Sequence, residues 1–146
     1  MRIVLLLMIS LVSLDGVAGS VAIYTNDANP VQLDIDLPGD IVLPIQNLDA
    51  ITHAKAELNT AVSELVKREP PGPAPKRYKK AFFELLNSPA WRSHEEALEK
   101  GNGIIINAVQ QRVEKIPAII FDGKYVVYGV TSLKEAVGIY SREVNR

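Results

Sequence analysis

The chain has 146 residues, 16 Lys and Arg against 17 Asp and Glu, and a formal net charge of −1. With 47% apolar and 23% charged residues it falls among ordinary globular chains, which excludes intrinsic disorder, a coiled coil and a multispan membrane protein. No basic excess exists to draw it toward nucleic acid, and the cysteine count of zero excludes disulfides, a thiolate nucleophile, a redox C-x-x-C pair and thiolate metal sites.

Arg2 precedes an apolar run from Ile3 to Leu14, and small residues follow through Ser20. The run is about a dozen residues, short of the roughly 20 needed to cross a hydrocarbon core, so residues 1–19 read as a secretory signal peptide. Val17 and Gly19 suit a cut before Ser20, and cuts before Val21 or Ile23 also fit. Residues 20–146 are then expected to form one exported, periplasmic domain without a stable membrane anchor.

Val21–Thr25 reads as a buried strand, stopped by the turn chemistry of Asn26-Asp27-Ala28-Asn29-Pro30. Val31 to Ile35 alternates like a half-buried strand, and Leu37-Pro38-Gly39-Asp40 breaks it. Ile51, Ala54, Leu58, Ala61, Val62 and Leu65 recur at three- and four-residue steps, which predicts a helix over 47–67. Residues 69–75 carry four prolines and read as a stiff, extended spacer. Tyr78, Phe82, Leu85 and Leu86 give a short helix. Ser88-Pro89 starts another, with Trp91 and Leu98 on one face, Ser93 and Glu96 as a capping box and Gly101 as a stop or kink. Residues 104–113 fit either state and tilt toward helix.

The last stretch is clearer. Pro117–Phe121 is a strand, Asp122-Gly123 a type I′ turn signal and Tyr125–Tyr128 the returning strand. Ser132 with Glu135 then caps a terminal amphipathic helix holding Leu133, Ala136, Val137 and Tyr140.

This order of elements resembles an α/β thioredoxin-like domain, a central mixed sheet with flanking helices, a C-terminal hairpin and a closing helix. Residues 21–31, the Leu33-Asp34 pair and residues 115–129 look like a family of thioredoxin-like proteins encoded in integrating conjugative elements. The resemblance implies that Ile116-Pro117 is cis and faces Thr25 to Pro30. It also implies an exported component of a conjugative DNA-transfer apparatus of the type IV secretion kind, whose partners are other proteins of that apparatus. The implied protein-binding residues are Thr25, Asn26, Asp27, Asn29, Pro30, Lys115, Ile116, Pro117 and Tyr125. Members often carry His where Asn29 stands, so that imidazole is missing here. Only about five residues separate Thr25 from Val31, whereas a parallel crossover needs a dozen or more. The two segments therefore either pair antiparallel or Val31–Ile35 runs outside the sheet.

The loop at 26–29 either hydrogen-bonds a partner or satisfies itself as an Asx-turn. Tyr125 and Tyr128 fall on opposite strand faces, so one at most lines a given groove. Trp91 reads as core. Asp34 and Asp36 precede a Pro-Gly turn, where solvation argues against acid–base work. His53 and His94 have no ligand spacing and no nucleophile motif near them, so no metal, other cofactor or enzymatic activity is expected. An exported hydrolase with an Asp/His site and a periplasmic chaperone are the alternatives. Charge is uneven: residues 27–49 hold five acids and no base, whereas residues 67–80 hold six bases and only Glu69. That asymmetry suits either docking to a partner or a solvated helix face.

Overall fold

Two apolar runs far apart in sequence, Val21–Thr25 (β1) and Ala118–Phe121 (β3), form the middle of a four-stranded sheet in the computed structural model, which describes residues 20–35 and 43–146. Both are rich in β-branched and aromatic residues, and all of β3 is buried, as befits a strand covered on both faces. The sheet order is β2-β1-β3-β4, with β2 at Ile45–Asn47 and β4 at Tyr125–Tyr128. β1 pairs antiparallel with β3, Val21 against Phe121 through Tyr24 against Ala118. β3 pairs antiparallel with β4, Ala118 against Tyr128 through Phe121 against Tyr125. The expected signal peptide and the Leu37–Asp40 turn lie outside the described residues.

Helices α1 (Ala50–Arg68), α2 (Ala74–Leu86) and α3 (Trp91–Gln110) separate β2 from β3, and α4 (Leu133–Val144) follows β4. The described residues pack as two compact units. One comprises the described residues up to 46 together with residues 114–146, holding β1, β3, β4 and α4, and the other comprises residues 47–113 with the three intervening helices.

In the first unit, Ile23, Ile119, Phe121 and Val127 pack with Val31 and with Leu133, Ala136 and Tyr140 of α4. The Phe121 and Tyr140 rings stack at 4.6 Å. Asp122 and Gly123 take φ values of 55° and 63°, and Lys124 N–H donates to Phe121 C=O at 3.0 Å, the primed turn the sequence predicts. Val31–Ile35 runs outside the sheet, the second of the two expected alternatives. Gln32 N–H donates to Thr131 C=O at 2.7 Å and Gln32 C=O accepts from Leu133 N–H at 3.0 Å, so the segment is tied to the start of α4 instead.

In the second unit, Val62 and Val66 of α1 pack with Ala81 and Leu85 of α2, and Trp91 lies half-buried against them. Three expectations need correction here. Ala74 and Pro75 already belong to α2 rather than to the extended spacer, because proline in a first helical turn loses no internal hydrogen bond. Ser93 and Glu96 do not cap: α3 starts at Trp91 with Ala90 before it and no side-chain cap. Gly101 does not stop α3, which continues to Gln110.

Gly101 is instead an approach point between helices. A Cβ placed there would stand 2.7 Å from Ile51 Cα and 2.8 Å from Ile51 N, backbone atoms that cannot rotate away. A Cβ at Gly103 would meet nothing within 4 Å. Glycine normally costs an exposed helix about 1 kcal/mol relative to alanine. Gly103→Ala should therefore raise the free energy of urea unfolding by up to about 1 kcal/mol, whereas Gly101→Ala should lower it by about 1–3 kcal/mol as α1 and α3 are forced apart. Equal stabilisation by both substitutions would contradict the close approach.

Candidate protein-binding site at the end of β1 and β3

The β1–β3 register sets the geometry of the predicted site. Tyr24 pairs with Ala118, so one further step along both strands brings Thr25 alongside Pro117. Proline carries no N–H, and the ladder accordingly begins at Ala118. The Ile116–Pro117 peptide is cis, and Pro117 C=O accepts from Gly129 N–H at 2.9 Å. Thr25 and Pro117 are buried, Ile116 is half-buried and Lys115 is exposed. Among the described residues, no hydrogen bond engages the Ile116 backbone. The chain bends at residues 115–117, and the β1 loop lies beside Pro117.

That loop spends its central polar groups on itself. Asn26 Oδ1 accepts from Asn29 N–H at 2.9 Å and from Asn29 Nδ2 at 2.8 Å, Asn29 N–H also reaches Asn26 C=O at 3.2 Å, and the Thr25 hydroxyl donates to Asn29 C=O. The self-satisfied Asx-turn is thus the arrangement present, and it fixes the loop's shape. Asp27, Ala28 and Pro30 are exposed on its outside.

Tyr125 does not join this end. It pairs with Phe121, three residues along the strand from Ala118 and so about 10 Å away. Its ring meets Tyr140 edge-on at 5.5 Å. Tyr128, opposite Ala118, stands at the Pro117 end, and its hydroxyl accepts from Glu114 N–H at 3.4 Å. Strand alternation separates the two tyrosines by face. Only the register, which the hairpin turn sets, shows which of them is near Pro117.

Residues weighed for catalysis have structural work. Asp34 Oδ2 accepts from the Ser132 hydroxyl at 2.6 Å and Oδ1 from Lys134 N–H at 2.9 Å, while Ser132 Oγ accepts from Glu135 N–H at 3.0 Å. Ser132 is the helix cap the sequence predicts, and Asp34 satisfies a second unpaired N–H at the positive end of α4. These hydrogen bonds, Ser132 first and Lys134 second, hold the Asp34 carboxyl below its ordinary range, the wrong direction for a general acid. Asp36 lies outside the described residues. His53 is exposed on α1 and His94 half-buried on α3, and no group of three or more His, Asp or Glu side chains among the described residues could hold a metal. Asp122 Oδ2 accepts from the Tyr140 hydroxyl at 2.7 Å, which, with burial, raises the Tyr140 pKa. No helix among the described residues is long and apolar enough to cross a membrane.

A family model described as "Protein of unknown function (DUF1525)" matches residues 18–143. No curated protein and no solved structure matches the chain.

The Asp34 contacts carry a pH signature. A carboxyl held low in the folded state adds stability that is complete above its unfolded value of about 3.9 and is lost as pH falls through the lowered folded value. Asp34→Asn should therefore lower the melting temperature at pH 7. The gap between the two proteins should narrow steadily as the pH drops below about 4. A pH-independent gap would assign the effect to shape rather than charge.

Proposed function

This chain belongs to that uncharacterised family, and we propose that it is a thioredoxin-like protein without thiol chemistry that binds other proteins of a conjugative DNA-transfer apparatus in the periplasm. The observation that carries this reading is the juxtaposition of the Thr25–Pro30 loop with Ile116-Pro117 at one end of paired strands. In a thioredoxin-like domain the loop is the place of the redox pair, and the residue before the proline offers backbone to an extended polypeptide. With zero cysteines, the same cradle retains recognition alone. Sheet order β2-β1-β3-β4, the closing hairpin and the terminal helix also fit that fold.

Recognition in this reading uses main-chain pairing with residues 115–116, a form of strand addition. The internally bonded loop acts as a preformed wall, which limits the entropy lost on binding. The assignment to a conjugative apparatus rests on the resemblance of residues 21–31 and 115–129 to the integrating conjugative element family. Export rests on the leader-like residues 1–19. A cut before Ser20 would leave a new ammonium group where the Ser20 N–H already donates to Asp122 Oδ1 at 3.3 Å, so maturation would strengthen that contact.

Lys115→Glu and Ala28→Arg change exposed positions on the two sides of the cradle. Each should reduce co-purification of apparatus proteins from cells carrying the intact element by at least about fivefold, roughly 1 kcal/mol, with an unchanged melting temperature. Undiminished co-purification would contradict the site. Equal capture of many unfolded clients would instead favour a chaperone.

A further inference from the structure

Among the described helices α2 is the most amphipathic, and its outward side combines cations with the Phe83 ring. Lys76, Lys79 and Lys80 precede Phe83 by seven, four and three residues, the spacings that share one helical face. Lys79 Nζ stands 6.0 Å from the centre of the Phe83 ring. Phe83 on this face is 52% exposed. Phe82 and Tyr78, 38% and 50% exposed, lie about 100° and about 140° around the helix from it, toward the side of Leu85. Packing within the three-helix unit accounts for the other side, where Ala81 and Leu85 are buried. It also engages Phe82, whose ring meets Trp91, and leaves Phe83 as the exposed ring among the lysines.

The local charge selects the partner. Arg77 is turned inward, donating from Nη2 to Val66 C=O at 2.7 Å at the end of α1, and Lys80 pairs with Glu69 at 2.7 Å. Among the described residues Lys76 and Lys79 have no acidic side chain within ion-pair distance, and Arg68 is exposed nearby in sequence at the end of α1, where Lys67 pairs with Glu64. We propose that the outward face of α2, Phe83 among Lys76, Lys79 and Lys80, docks peripherally on an anionic lipid surface. Aromatic side chains enter the boundary between headgroups and acyl chains while lysines reach the phosphates, the pattern of an interfacial helix. A single-stranded nucleic acid fits less well, because it needs a charged groove that tracks its backbone, whereas this is the convex outside of one helix on a chain of net charge −1. An anchor of this kind is reversible and uses residues of the helical unit alone.

Trp91, the only tryptophan, meets Phe82 edge-on at 6.1 Å and reports on this face. Residues 20–146, which contain both described units, would be mixed with vesicles of phosphatidylglycerol and phosphatidylcholine and with vesicles of phosphatidylcholine alone. Sedimentation and Trp91 emission are the readouts. We expect binding and a blue shift with the anionic vesicles only, lost at about 0.5 M salt, where screening is nearly complete. Lys76→Gln with Lys79→Gln should weaken binding at least tenfold, and Phe83→Ser should abolish the blue shift, both with unchanged helical circular dichroism. Glu143→Gln, on α4, should bind as the parent does. No binding, equal binding to neutral vesicles, or full binding by the lysine variant would overturn the proposal. So would a single-stranded oligonucleotide or an acidic peptide that binds through these lysines while vesicles do not.

Discussion

The antiparallel pairing of Val21–Thr25 with Ala118–Phe121 is the constraint from which the rest of the first unit follows. These segments are separated by the whole helical stretch, so their association closes a long loop at considerable entropic cost. What offsets that cost is burial: Ile23, Tyr24, Ile119 and Phe121 are each at most 1% exposed, and side chains of this kind contribute about 1.5–3 kcal/mol apiece when removed from water. Once the register is set, α4 has a surface to cover and the end of β1 has Pro117 beside it.

Polar contacts then fasten the periphery of that core, each joining pieces remote in sequence. Asp34 holds the segment after β1 to the beginning of α4. Asp122 joins Ser20, at the start of β1, to the hairpin turn and to Tyr140. Both carboxylates therefore serve architecture, and the same is true of Asn26 and Asn29 inside their loop.

Much of this was legible in the residues. The hairpin announced itself through Asp122-Gly123 between two β-rich runs, the terminal helix through Ser132 and Glu135, and α1 through a periodicity that needed no tertiary information. What could not be read was decided by contacts at a distance. Ile45–Asn47 is too short to show alternation, and only its place at the sheet edge makes it a strand. Gly101 looks like a breaker until the backbone of Ile51 is seen against it. For the candidate site, composition and turn chemistry located the loop and the proline, but the position of Tyr125 depends on strand register, which alternation alone leaves open at the scale of one end or the other.

The chain thus comprises a sheet unit, with the β1 loop beside Pro117, and a helical unit, whose α2 carries lysines around Phe83. Thr25 stands beside Pro117 only if the strands are in the observed register. Inter-strand backbone nuclear Overhauser effects on an isotopically labelled chain measure that register directly. The account predicts connectivities that link Ala22 with Ile120 and Tyr24 with Ala118. Connectivities displaced by one residue or more, or their absence between these two strands, would move Thr25 away from Pro117 and contradict it.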